Sequence, residues 1–351
     1  MKNSYSTRIL YLIISVSVFF SCKQRHQPTQ NQNEIVVFSP GAVIPSYQDK
    51  LLNTYQVSEK SAMNESMVIN YLKQVLSLMG EESNFELTNK TQEGDRWFFL
   101  NKNDPSASCI VNVKTGDIQV NSGTKNYMTS ASTQDLLKKD EAVKIAQRYL
   151  QELKYIDLND KSLVEGHVGG INMGVHDEKN ESQVYEKFTT VRYDRKFDSI
   201  PVLGHSRFIL QLAEKGKLHS IIRQWPIYNE TKISKDEEVV PDEAKRAIVQ
   251  HLMNENKNAK KITVNQVNLV YYESKGMIEP ALHVICQIQL PKSKSDTTLM
   301  TFPYDLVEPI MKRPRMIYTF MAEPHRDQPA QSDKVDTAQA PKAGDDERKQ
   351  Q

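Results

Sequence analysis

The chain reads as an α+β protein built of tandem units, each a single helix packed on an antiparallel β-sheet and followed at the end by a disordered C-terminal tail. Three observations predict this. The helix starts Lys139-Asp140-Glu141-Ala142 and Pro241-Asp242-Glu243-Ala244 lie 102 residues apart, and each precedes β-rich sequence, which is the sign of an internal duplication. A third helix pattern, over Asn64–Met79, also precedes a series of short strand-like runs. Between the second and third helices, Val184 to Trp225 forms a succession of strand patterns separated by turn residues.

Each element follows from its residues. Ile35 to Phe38 is a short apolar strand or ordered arm. In the first helix Met67/Val68, Tyr71/Leu72, Val75/Leu76 and Met79 repeat at helical spacing, Asn64 suits the N-cap and Gly80 the end. Strands are expected at Phe85–Thr88, Trp97–Asn101, Cys109–Val113 and Ile118–Val120, the last two joined by a Lys114-Thr115-Gly116-Asp117 turn. The second helix turns Ala142, Ile145/Ala146, Tyr149/Leu150 and Leu153 to one face. The third does so with Ala244, Ala247/Ile248 and His251/Leu252, and its paired acids offset the positive end of the helix dipole. In the central block Asp198-Ser199 is a turn, Pro201–Leu203 and Arg207–Leu212 resume strands, and Lys215-Gly216-Lys217 closes a hairpin into Leu218–Trp225. Arg315 to Met321 reads as a last strand. The expected boundaries are 1–21 for a signal peptide, 22–34 for a tether, 35–130, 135–230 and 235–321 for three units, and 322–351 for the tail.

Composition sets limits. Charged residues make up 25% of the chain and the net charge is +1, which argues against a sequence-independent nucleic-acid binder, since that function needs a basic excess. Cys109 and Cys286 sit in separate apolar runs and read as two buried reduced thiols, with a disulfide as the alternative.

The amino terminus gives a location. Lys2 and Arg8 precede an apolar run from Ile9 to Phe20, too short to span a bilayer but suited to a signal-peptide core. It ends in Phe19-Phe20-Ser21-Cys22, which resembles the lipobox of bacterial lipoproteins, with Phe19 in place of the usual Leu. That resemblance implies cleavage before Cys22 and attachment of lipid, palmitate among the acyl chains, at its thiol. Lys23 to Asn33 has no large apolar residue and reads as a tether. The expected place is the cell envelope, lipid-anchored and facing the periplasm, at the outer membrane rather than the inner.

The second helix start, Tyr193, the Ile200-Pro201-Val202 turn, Gly204, the Lys-Gly-Lys hairpin and Trp225 together resemble PepSY-type domains, found as propeptides of thermolysin-like proteases and in bacterial regulators of the YycH and YycI type. Leu269-Val270-Tyr271-Tyr272, Lys275-Gly276 and Glu279-Pro280-Ala281-Leu282 look like the later hairpin of such a unit. The resemblance implies a free-standing binding or regulatory module that restrains or chaperones a protease or a sensor.

No HExxH, GxSxG, P-loop, GxGxxG or CxxC is present. Gly169-Gly170 and Gly174 lack the Lys-Ser/Thr of a phosphate loop and read as a flexible loop or a strand bulge. His167, His176, Asp177 and Glu178 have ligand chemistry, but three of them fall in a polar run that reads as a solvated loop; the rival function, a metal-dependent envelope hydrolase, would use them. His205, His219 and His283 read as strand histidines. Arg192, Asp194, Arg195 and Lys196 form a charged cluster suited to the rim of a protein interface. The expectation is a non-enzymatic protein-binding lipoprotein without cofactor, metal or nucleic acid, presenting a surface or a sheet edge to an envelope partner. Strand addition along Phe208–Gln211 is one mode, provided that strand lies at an edge. A passive scaffold of an envelope complex is a further alternative.

Overall fold

Local chemistry sets the helices. The computed structural model describes residues 35–154, 158–176, 182–291 and 298–316. Helix α1 spans Glu65–Met79: the Asn64 side chain accepts from the Met67 amide at 2.9 Å, and Gly80 ends the helix at a φ of 74° that only glycine adopts without strain. Helix α2 spans Lys139–Glu152, with Asp140 and Glu141 in its first turn. Helix α3 spans Pro241–Glu255 and opens on proline, whose missing N–H costs nothing at that position.

Among the described residues fifteen strands accompany them. They are β1 (Val36–Phe38), β2 (Asn53–Val57), β3 (Thr91–Glu93), β4 (Arg96–Leu100), β5 (Ser108–Asn112), β6 (Asp117–Asn121), β7 (Leu163–His176), β8 (Ser182–Phe197), β9 (Ile200–Leu203), β10 (Arg207–Leu212), β11 (Leu218–Gln224), β12 (Tyr228–Lys232), β13 (Lys261–Ser274), β14 (Met277–Pro291) and β15 (Leu299–Pro309). All belong to one mixed sheet.

The expected tandem helix-on-sheet units are therefore corrected. Strands β7-β8-β10-β11-β6-β5-β4-β3 form one antiparallel wing, because β6 pairs with β11 and so joins strands expected in different units. Helices α1 and α2 bury their apolar faces in the same core over this wing, with Leu72, Leu76, Ala146 and Leu150 beside Val111, Phe208 and Ile221. The chain before α1 leaves that wing altogether. Strand β1 runs parallel to β13, while β2 pairs with β12 and β14. With β15 on β14 these make a second wing of six strands, and α3 packs on it through Ala244, Ile248 and Leu252. Periodicity registers a helix followed by strands; it carries no information on which distant strands pair.

Strand β9 joins the wings. A two-residue turn, Asp198-Ser199, has positive φ at both positions and folds β9 back on the end of β8. The other edge of β9 runs parallel to β13 through Val202↔Tyr271 and Leu203↔Tyr272.

Several strand expectations change in detail. Phe85–Thr88 supplies only an isolated bridge from Phe85 to Asn101, and Arg315 and Met316 lie in no strand, the rest of that predicted strand falling outside the described residues. Gly169 and Gly170 sit within β7, flanked by irregular pairings at Glu165/Val168 and Ile171/Asn172. Cys109 and Cys286 are unbridged and belong to different cores, which excludes the disulfide; burial pushes both thiols up to about 12. Cys22 with its signal and tether, the tail from 322, and Asp177 and Glu178 lie outside the described residues.

Candidate functional site

Among the described residues, the eight-stranded wing is covered on one face only. Its strands alternate, with Phe99, Cys109, Val111, Ile118, Val120, Phe208, Leu210 and Ile221 turned into the core. The residues between them face the other way, and strand register sorts them into rows that run across the strands. One row is Phe98, Ile110, Gln119, Ile222, Ile209 and Arg192, each directly opposite the next. Its aliphatic and aromatic members are half-buried, although no helix covers this face among the described residues.

A second row lies one step along the strands toward β9. It contains Glu93, Arg96, Asn112 and Asp117, and continues through Gln224, Arg207 and Asp194. A groove of about 230 Å³ runs between the two rows, lined by Arg96, Phe98, Ile110, Asp117, Ile222 and Gln224. The third row, Ser108, Asn121, Ser220, Gln211 and Thr190, is small and polar.

The groove opens into a larger cleft of about 920 Å³ between the wings. The eight-stranded wing supplies Arg96, Lys114, Asp117 and Gln224; the β13–β14 hairpin supplies Glu273, Lys275 and Met277, and Glu59 follows β2. Asp117 serves both depressions. Its Oδ2 accepts from the Thr115 hydroxyl at 2.6 Å, while Oδ1 is buried with no hydrogen-bond donor. Burial holds its carboxyl above the usual carboxylate range.

Glu273 fixes the floor of the cleft. Its carboxylate accepts from the His205 amide at 2.8 Å, the Ser206 amide at 2.6 Å and the Tyr228 hydroxyl at 2.6 Å, so a side chain of β13 holds the loop between β9 and β10. A Cβ at Gly204 would stand 2.4 Å from Cβ of Glu273, which is why this approach needs glycine. Burial first, and then Glu273, push the Tyr228 phenol well above its ordinary range.

The charged cluster read from the sequence divides between two faces, as strand alternation requires. Arg192, Asp194 and Lys196 share the open face, where Arg192 Nε donates to Asp194 Oδ1 at 2.6 Å. Arg195 points the opposite way and is buried. Its guanidinium lies 4.0 Å from the Trp225 ring centroid and 5.0 Å from that of Tyr228, and Nη1 donates to the Pro226 carbonyl at 2.9 Å. Burial lowers its pKa to about 10, so it stays charged at neutral pH and serves as a cationic post under the seam between the wings. Arg192 and Arg207 also border a small pocket of about 120 Å³ with His283 and Asp305 of the other wing.

Strand β10 is interior, between β8 and β11, so the strand-addition mode proposed for Phe208–Gln211 has no edge to use. Among the described residues no group of three His, Cys, Asp or Glu side chains is placed to hold a metal ion. His167 is exposed on β7, and His219 is a core histidine stacked on Phe188 with centroids 4.1 Å apart. The apolar row escaped the sequence reading because its members come from separate strands. The available signal was Phe98, Ile110, Ile209 and Ile222 standing at the outward positions of alternating strands, where polar residues belong.

No protein-family model matches the chain, and no curated protein matches it. Two solved structures align with it. One is an uncharacterized protein from Eubacterium rectale, at 12% identity and a TM-score of 0.45, covering 81% of this chain and 92% of that one. The other is the YpeB C-terminal domain of Bacillus megaterium, at 11% identity and a TM-score of 0.32, covering 70% of this chain and 98% of that domain.

Proposed function

We propose that this chain is a membrane-tethered envelope lipoprotein that acts without catalysis, binding another envelope protein such as a protease or a sensor on the open face of its eight-stranded wing. The observation that carries the reading is the half-buried row Phe98, Ile110, Ile222 and Ile209 on a face that no helix of the described residues covers. Apolar surface set between polar rows is the usual composition of a protein interface core with its rim. The cleft beside it adds charges of both signs, which orient a partner more than they strengthen its binding. The anchor rests on the sequence alone: more than one acyl chain at Cys22 would hold the protein stably at the membrane, each buried CH₂ contributing about 0.8 kcal/mol.

The test is crosslinking capture of the tagged protein in its own host, beside Cys22→Ser and Ile209→Asp/Ile222→Asp variants. A dominant envelope protein that is captured by the native chain and lost from the open-face variant, with fold retained by circular dichroism, is the expected result. Equal capture by the native chain and the open-face variant would remove this face from the function.

A further inference from the structure

The main chain at the end of the eight-stranded wing offers a second surface, of different chemistry from the open face. Among the described residues five strands have a single neighbour: β1, β3, β7, β12 and β15. Four of these edges are short or blocked. Strands β1 and β3 have three residues each, β12 has five with Glu230 and Lys232 exposed, and β15 carries Pro303 and Pro309. Short length, charge and proline are the devices by which proteins close a sheet edge to further pairing. Strand β7 uses none of them from Val168 to Val175, a stretch of about 27 Å without proline or charge.

That edge is continuous as well as neutral. Gly166 and His167 of β7 stand against Arg192 alone, between the Glu165↔Tyr193 and Val168↔Val191 pairs, so the first irregularity ends before Val168. At the second, Ile171 pairs with Phe188 and Asn172 with Glu186, which puts the extra residue, Lys187, on β8 and leaves β7 unbroken. The far side of the hairpin is closed by the chain itself. Lys187 Nζ donates to the Thr129 carbonyl at 2.6 Å, and the Thr133 amide donates to the Glu186 carbonyl at 2.9 Å. Among the described residues no backbone group of Val168 to Val175 bonds beyond β8. A row of unpaired N–H and C=O groups is matched by an extended chain and by no helix.

Strand parity then specifies that chain. Ile171, Met173 and Val175 share one face of β7 and are half-buried. Gly170, Asn172 and Gly174 share the other and are exposed. A Cβ at Gly174 would meet nothing within 4 Å, and Val184, its partner on β8, is 61% exposed. A bulky side chain beside Gly174 can therefore lean across the glycine onto Val184. Gly170 offers a second position without a side chain on the same face. We propose that the free edge of β7 binds an extended, uncharged segment of a partner protein by strand addition. Five residues of that segment run aromatic, aliphatic, polar, aliphatic, aromatic. The aromatics lie beside Gly174 and Gly170, the aliphatics beside Met173 and Ile171, and the polar residue beside Asn172. The order reads the same in both directions, so it fits a parallel or an antiparallel strand. A second copy of β7 does not supply it, since that strand holds no Phe, Tyr or Trp.

The experiment uses the full-length lipidated chain in detergent and short labelled peptides, with fluorescence anisotropy reporting binding. One peptide carries Tyr-Val-Thr-Val-Tyr at its centre, and a second has glycine in place of both tyrosines. Two more keep the tyrosine sequence but are N-methylated at alternate residues, one at the odd set and one at the even set. The tyrosine peptide is expected to bind at least about tenfold more tightly than the glycine peptide. One methylated peptide is expected to bind and the other to fail, because only alternate amides of an added strand face β7. Gly174→Lys, whose side chain has room in the free protein, is expected to weaken the tyrosine peptide at least about tenfold. Absence of binding, equal binding of the tyrosine and glycine peptides, or equal effects of the two methylation sets overturns the proposal. So does a dimer of the free chain that Gly174→Lys dissociates, which assigns the edge to a second copy. The Ile209→Asp/Ile222→Asp variant is expected to bind the tyrosine peptide as the native chain does. Loss of the peptide from that variant would place it on the open face, rejecting the edge while the function proposed above stands.

Discussion

The two wings bury their strands differently. In the eight-stranded wing β5 and β10 alternate strictly between core and open face, so Phe208 is fully buried while its neighbour Ile209 is only half-buried. In the six-stranded wing β13 buries Tyr271 in the core that α3 also enters and the adjacent Tyr272 on the opposite face, and Ile278 to Leu282 of β14 are buried without a break. A sheet covered on both faces selects continuous apolar runs; a sheet covered on one selects alternation. The second face of the six-stranded wing is closed by its own chain: Met316 packs on Val270, Tyr272, Ala281 and Val307, and the Arg315 amide donates to buried Glu279 at 3.1 Å. Among the described residues the eight-stranded wing has no such cover on its second face. The open face of the eight-stranded wing instead carries half-buried apolar residues in strands whose alternation reserves those positions for solvent.

Introducing a carboxylate on the second face of each wing gives the largest contrast. Ala281→Asp places an unpaired charge in a closed core and is expected to cost upward of about 4 kcal/mol, whereas Ile222→Asp on the open face costs about 1 kcal/mol. Urea unfolding of both variants measures this directly. Similar losses at the two positions would mean that the open face is structural.

The junction responds next. Glu273→Ala leaves the His205 and Ser206 amides and the Tyr228 hydroxyl without their acceptor, an expected loss of about 2–3 kcal/mol. Hydrogen exchange at the two amides should rise before exchange in either core. Unaltered exchange there would show that Glu273 does not hold the wings together.

A further effect is confined to the eight-stranded wing and depends on pH. Burial lowers the His219 pKa from 6.5 to about 4. Between those values the unfolded chain binds the extra proton and the folded one does not, so the contribution is fully present above pH 6.5 and is lost as pH falls toward 4. His219→Gln should flatten that acid limb of the stability curve. An unchanged limb would assign it to other groups.

Much of the local structure was legible in the sequence. Asn64 and Gly80 bracket α1, Pro241-Asp242-Glu243 opens α3, and alternation alone delimits β10. Strands β2, β3 and β12 were not, since Asn53–Val57, Thr91–Glu93 and Tyr228–Lys232 are short and largely polar, and form through pairing with distant partners. The duplication signal failed for the same reason: similar helix starts say nothing of the β6–β11 pairing that merges two expected units. Of the site, the charges at Arg192 and Asp194 were visible as a cluster, but their separation from Arg195 required strand parity. The row between Phe98 and Ile209 required the register of five strands.

The entry of the chain at β1 has a mechanical consequence. In the proposed anchored form the tether leads into β1, which lies parallel to β13 in the six-stranded wing, while the partner sits on the other wing. Tension between membrane and partner therefore shears β1 along β13, and within the sheet it passes from wing to wing through the short parallel pairing of β9 with Tyr271 and Tyr272. That pairing, with Glu273 bolted immediately behind it, is where a pull would be felt first.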